Sequence, residues 1–437
     1  MPDPYASDPT PPLGYTSRVK SISTGARLFL AALVVYSVCP PFTGYDSYYV
    51  VPTALSLIRH GTTAVDEFVP SAPEVSRYAR EKVGEHWYNY YPIAVPVLAA
   101  PLIAAVDFGT AVFARFFPLT AQRAPHPIIA SFLSHDLIGG RAIVELLCGA
   151  IFGALTVWVM YAILARLLPP GRAVALTLLF AFGTTQWSIA SRNLMQHGLS
   201  ILLLTLAIYA VLSRRVAWAG IALALSFTVR PSNFIAVIVF TLFVAIHHRH
   251  DLKRYLLFAA PVAAIFFAYN LLVLGRLFPK YFVTSPGRYP PLTGFAMNFV
   301  SPSRGLLIYV PVVIFALAGF WLAWRGKWLF PAGRYLAAIP LLNMILIAPL
   351  WPGHCFGPRY SADMMPFFFL FLVPVLGNLR RASGAVFVAL ALWGVFVNFR
   401  GATSIAVNQW SALPVSVDEA QWRVWDWRDP QFLRGLK

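Results

Sequence analysis

The stretch Gly44-Tyr45-Asp46-Ser47-Tyr48-Tyr49 places a carboxylate directly after the first apolar run, about 17 residues from Ala26 to Phe42. There Asp46 falls at the rim of a membrane, on the side opposite the amino terminus, where charge is costly and usually functional. It could act as a general base; the alternative is a span-end residue solvated by headgroups. Asp66 and Glu67 could bind a metal or orient an acceptor, or form an ordinary acidic loop pair. His86, Tyr88 and Tyr91 belong to the same stretch, and His197 stands alone at a span edge. Arg230 precedes a proline between two short apolar runs, where an unpaired charge is expensive, so a phosphate or carboxylate partner is expected. Lys280, Arg288 and Arg359 could hold a phosphate, because a guanidinium fork matches phosphate oxygens and an ammonium adds a point charge. For Lys280 and Arg288 the other reading is headgroup anchoring. His354 shares a rigid aromatic turn with Arg359, and Arg304 occupies a similar one at Ser301-Pro302-Ser303-Arg304-Gly305. No nucleophile–base signature, P-loop or Gly-rich dinucleotide loop occurs. The run His247-His248-Arg249-His250 looks like a metal tract but reads as a basic turn between apolar runs. Cys39, Cys148 and Cys355 give neither a disulfide framework nor a metal spacing.

These residues need elements to position them, and composition restricts the choice. Hydrophobic residues make up 58% and charged residues 12% of 437 positions, which predicts an all-α, polytopic transmembrane protein. The net charge of +17 does not indicate a nucleic-acid partner, because the basic residues are scattered in short loops between apolar spans, as the positive-inside rule writes them. The pattern predicts a cytoplasmic tail over 1–23, a transmembrane domain over 24–400 and a short outer tail over 401–437. About 11 spans are expected: 24–40, 142–167, 173–189, 199–212, 216–229, 233–246, 255–274, 306–324, 335–350, 366–376 and 385–398. Two long outer loops, 41–141 and 275–305, carry most of the polar groups. The apolar run Ile93 to Phe117 is read as an outer juxtamembrane segment, broken as a straight helix by Pro92, Pro96 and Pro101. A crossing there would put Arg166, Arg172, Arg214 and Arg215 outside. The polar clusters then share one face, and mid-span charge is almost absent, Glu145 and Arg230 being the exceptions. A channel or transporter would bury charge near the midplane.

The order of one span, Tyr45-Asp46-Ser47-Tyr48-Tyr49, then Tyr88-Asn89-Tyr90-Tyr91-Pro92 leading into an apolar stretch resembles the GT-C superfamily of integral membrane glycosyltransferases. The closest branch looks like the protein O-mannosyltransferase and lipid A aminoarabinose transferase group. Phe182-Gly183-Thr184-Thr185-Gln186-Trp187 through His197, Ser301 to Gly305, and Phe356-Gly357-Pro358-Arg359-Tyr360 look like bacterial members. The resemblance runs from about Arg27 to Arg400 and implies a GT-C-like fold in the cytoplasmic membrane with the site on its outer face. It implies a polyprenyl-phosphate sugar donor, a lipid, glycan or protein acceptor, and Asp46 as the catalytic carboxylate. Donor phosphate would meet Lys280, Arg288, Arg359 and Arg230. Acceptor and sugar would meet Asp66, Glu67, His86, Tyr88, Tyr91, His197 and His354. Residue 47 is Ser where the family often has an acid, which leaves a divalent metal an open alternative. The lead-in also lacks the Lys that some members place near the donor phosphate. The rival expectations are a lipid-linked glycan flippase or transporter and a non-catalytic envelope assembly protein.

Overall fold

In apolar surroundings only a helix pairs all of its own backbone groups, and the apolar runs of this chain fold accordingly. The computed structural model describes residues 15–42, 44–283 and 289–436. Its principal helices are α1 (Tyr15–Ser37), α2 (Val50–His60), α3 (Ala94–Phe116), α4 (Arg141–Leu164), α5 (Pro170–Phe182), α6 (Gln196–Leu212), α7 (Val216–Val229), α8 (Phe234–His247), α9 (Leu252–Leu274), α10 (Ala316–Trp324), α11 (Ala332–Ile347), α12 (Met365–Leu376) and α13 (Arg381–Thr403). Among the described residues five stretches are long and apolar enough to cross a membrane: Ala94–Phe116, Arg141–Leu164, Leu252–Leu274, Arg359–Leu376 and Arg381–Thr403. Apolar side chains such as Ile265 and Leu272 of α9 are 71% and 86% exposed, an exterior suited to lipid rather than water. The described residues are thus predominantly helical, with an apolar exterior that fits a membrane-associated protein.

Several boundaries differ from the sequence expectation. α1 begins at Tyr15, inside the stretch expected to be tail. α3 is one continuous helix, not a broken one. Pro96 falls in its first turn, where a missing N–H costs nothing, and Pro101 is carried within the body. The stretch expected as a single span over 306–324 is instead Leu306–Tyr309, a 3₁₀ turn over Pro311–Phe315, and α10. The first long loop also contains a small antiparallel hairpin, β1 (Arg80–Val83) and β2 (His86–Asn89), turning at Gly84 with φ +59°.

α1 and α4 run antiparallel. Gly153 approaches Tyr36, Gly25 approaches Trp158, and Arg141 Nη1 donates to Gly44 O at 3.4 Å. The segment between them therefore starts and ends at the same end of the bundle. Within it α3 alone has the length of a crossing, since α2 has 11 residues and the other described helices have 5 and 7. A single crossing by α3 would deliver α4 to the wrong end. Consistently, the later half of α3 is tied to that end: Asp107 pairs with Arg59 of α2 at 2.7 Å, and Thr110 meets His135, just before α4, at 3.0 Å.

The largest apolar core among the described residues joins α1 and α4 to α13, with Tyr255 the one buried member from α9. A second gathers α2 and α3 on α4 and α6. A third, small one surrounds Trp410 in the C-terminal tail, which is folded rather than trailing.

Candidate functional site

Asp46 lies in the turn between α1 and α2, and its neighbours are fastened to α4. Ser47 is fully buried and donates to Glu145 Oε2 at 2.5 Å. Arg141 hydrogen-bonds the other Glu145 oxygen and stacks 4.3 Å from the Tyr48 ring. With residues 44, 47 and 48 turned onto α4, Asp46 faces the other way, its side chain 26% exposed.

Three distant segments converge on that carboxylate. Tyr78, from the 3₁₀ turn Glu74–Ala79, donates to Oδ1 at 2.7 Å. Tyr91, just after β2, donates to the same oxygen at 2.9 Å. Arg359, which opens the 3₁₀ turn Arg359–Met364, donates from Nη1 to Oδ2 at 3.0 Å and from Nη2 to Pro352 O at 3.3 Å. Burial pushes the Asp46 pKa up, but the Arg359 charge and the three hydrogen bonds outweigh it and hold the carboxyl below its usual value. Both phenols are pushed up, first by burial and then by the Asp46 charge, so they stay protonated donors.

A second ion pair sits behind the first. Asp363 is four residues after Arg359 in the same turn and is 1% exposed. Its Oδ2 lies 2.8 Å from Arg230 Nε, and its Oδ1 lies 3.3 Å from His197 Nδ1. Arg230 Nη1 lies 2.8 Å from both ring nitrogens of His197, so the imidazole is held between the Arg230 guanidinium and the Asp363 carboxylate. The Tyr360 ring connects the pairs, 5.7 Å from the Arg359 guanidinium and 5.8 Å from that of Arg230. Tyr281 closes one side: its ring is 4.9 Å from Tyr91 and its hydroxyl donates to Gln196 Oε1 at 3.0 Å. The expected partner for Arg230 is thus a carboxylate of the chain itself. Two neutralised pairs with tyrosine walls make a place where an ionised carboxylate meets the surface beside preorganised donors.

The structure brings together Asp46, Tyr91, Arg359, Arg230 and His197 from the sequence-predicted set. The remaining members lie otherwise. His86 Nδ1 is 2.7 Å from Asp66 Oδ2, Trp87 N donates to Asp66 Oδ1, and Glu67 faces His60 at 3.8 Å, so these bonds close on one another rather than on Asp46. Tyr88 stands in β2, opposite Glu81 and bridged to Ala64. His354 reaches the tail, with Nε2 2.9 Å from Ser416 Oγ and 3.5 Å from Asp418. Lys280 is exposed at the start of a short helix, and Arg288 lies outside the described residues. Asp66 and Glu67 form no metal-ligand set, and among the described residues no three His, Cys, Asp or Glu side chains converge.

Two polar stretches are buried inside the protein. Every residue from Thr184 to Arg192 is buried; Ser188 pairs with Asn398 at 2.7 Å, Gln186 Nε2 with Gly153 O at 3.2 Å and Arg192 Nη2 with Pro40 O, while Thr185 Oγ1, Gln186 Oε1 and Arg192 Nε and Nη1 have no hydrogen-bond partner among the described residues. Arg304 is also wholly buried and fastens the tail, through Gln431 at 2.8 Å, Ser411 at 3.2 Å and Gly353 O at 3.0 Å.

Sequence reasoning missed Tyr78, Asp363 and Gln196. Neither Tyr78 nor Asp363 carried a signal in the sequence, since each meets its partner only through the packing of distant segments. Comparison of the chain with descriptions of known protein families, with curated proteins and with solved structures returned no match.

Proposed function

We propose that the chain is a glycosyltransferase that moves a sugar from a polyprenyl-phosphate donor to a lipid, glycan or protein acceptor at the outer face of the cytoplasmic membrane. The observation that supports this most is Asp46 itself: an ionised, partly exposed carboxylate in the turn between α1 and α2, gripped by two tyrosines and Arg359. Arg18, Lys20 and Arg27 at the start of the chain argue for a cytoplasmic origin of α1, which puts Asp46 outside. About 11 crossings then follow, with α2 and α3 lying at the outer surface. The buried charges at His197, Arg230 and Asp363 are at helix ends facing Asp46 rather than along a path through the bundle, which favours an enzyme over a transporter.

The reaction is a single displacement with inversion. An acceptor O–H or N–H attacks the anomeric carbon as Asp46 takes its proton. The bond from that carbon to the phosphate oxygen breaks, and the polyprenyl phosphate leaves with the electron pair. Arg359 is placed to meet the growing phosphate charge; it already donates to Asp46 and Pro352 O, and its buried Nε is without a partner. Tyr78 and Tyr91 hold the carboxylate in line.

The test is transfer of label from a set of polyprenyl-phosphate sugars to membrane acceptors, wild type against Asp46→Asn. The wild type is expected to move label, and the variant to lose it by about 100-fold or more while keeping its fold, the scale of a lost general base. Undiminished transfer by Asp46→Asn sinks the assignment. No transfer from any donor by folded wild type turns the reading towards a transporter or assembly protein.

A further inference from the structure

At the end of the bundle away from Asp46, α6 and α7 are joined by the tight turn 213–215. A groove of about 250 Å3 opens between them, lined by Leu203, Leu206, Tyr209, Trp218, Ile221 and Leu225, with Arg215 at its mouth. Beside that mouth Arg166, just past α4, lies 4.7 Å from the Tyr209 ring and donates to Ser213 Oγ at 2.6 Å. Both arginines are exposed, so two guanidinium groups flank the open end of an apolar trough. No Asp or Glu occurs anywhere from residue 146 to residue 250, so α6, α7 and the end of α4 offer these cations no carboxylate of their own.

We propose that this groove binds an anionic diacyl phospholipid of the surrounding bilayer, one acyl chain between α6 and α7 and the phosphate on Arg166 and Arg215. The apolar walls suit a hydrocarbon chain and nothing that hydrogen-bonds. The paired guanidinium forks suit phosphate oxygens. A zwitterionic headgroup brings its own cation to a mouth already doubly positive, so charge selects the anionic lipid. The phosphate-binding mouth of the groove is separate from the site at Asp46: from His197 to Leu212, beside that mouth, the axis of α6 runs on the order of 22 Å, 15 residues at about 1.5 Å each. The proposal goes beyond the transfer reading and stands without it.

The experiment is native mass spectrometry of the full-length protein in detergent, titrated with phosphatidylglycerol or with phosphatidylcholine of the same chains. Wild type is expected to retain phosphatidylglycerol with about tenfold higher apparent affinity, one decade being a modest difference for two charge-assisted contacts. Arg166→Gln with Arg215→Gln should bring that lipid down to the phosphatidylcholine level. Ile221→Trp, which keeps both arginines and fills the trough, should lose the preference as well. Unfolding midpoints matching wild type would show the variants folded; the charge variants alter exposed residues and provide the result if the filling variant does not fold. Equal retention of the two lipids by wild type, or an unchanged preference in the arginine variant, overturns the proposal. Displacement of phosphatidylglycerol by an equal concentration of polyprenyl phosphate overturns it too, by assigning the groove to a prenyl chain.

Discussion

Each neighbour of Asp46 acts differently on its proton. Tyr78 and Tyr91 orient one oxygen, while Arg359 supplies the charge that keeps the group ionised against the cost of burial. In the proposed reaction transfer needs the ionised carboxylate, so the rate is expected to fall as pH drops through the Asp46 pKa. In wild type that acid limb is expected below the ordinary carboxylate value of 3.8. Arg359→Gln removes the strongest lowering influence and leaves burial to raise the pKa. The limb is therefore expected to move to higher pH, visible in a pH profile of kcat/KM, and an unmoved limb would dissociate Arg359 from the base. Asp46 and Arg359 were legible as residue types at a membrane rim. Their partnership was not, since 313 residues separate them.

The element that matters most is the short turn Arg359–Met364, which points Arg359 at Asp46 and Asp363 at Arg230. Asp363 is therefore a positioning residue, and its loss strands a buried guanidinium. Asp363→Asn is expected to destabilise the protein by roughly 3–5 kcal/mol, the scale of a broken buried pair. Adding Arg230→Met should restore a good part of that, because no buried charge is then unpaired. Thermal unfolding in detergent with all three variants reads this directly; equal unfolding midpoints for Asp363→Asn and wild type would mean the pair carries no structural load. Helices bounded by clear polar breaks were legible: α7 covers Val216–Val229, the run expected. α3 was misread because prolines signal a break only where they remove a hydrogen bond, and position within the helix decides that.

At the scale of the molecule the C-terminal tail closes the fold over the Asp46 end. Arg304 and Arg423 lie on the Trp410 ring, at 5.4 and 4.4 Å, and Arg304 binds Gly353 O, one residue from the Pro352 carbonyl that holds Arg359. Arg304→Met keeps bulk but removes the donors that join the tail to this loop. The tail after α13 is expected to become sensitive to trypsin at concentrations that leave wild type intact, with transfer reduced several-fold. A tail equally protected in the variant would mean that Trp410 packing alone fastens it. Nothing in the sequence marked this tail as structured; its order depends on a buried cation whose acceptors come from three separate segments.

Composition and the order of apolar runs suffice for a predominantly helical, membrane-associated chain, because backbone pairing in lipid admits few alternatives and charge scarcity is a bulk property. The resemblance around Asp46 suffices for a hypothesis about chemistry. The set of polar groups that serves Asp46 follows only from folding. Asp66, Glu67 and His86 have the right types and satisfy one another, while Tyr78 and Asp363, unremarkable in the sequence, complete the two ion-paired groups. The reason is physical: a buried or half-buried charge needs a partner within about 3 Å, and which residues come that close depends on how distant segments pack.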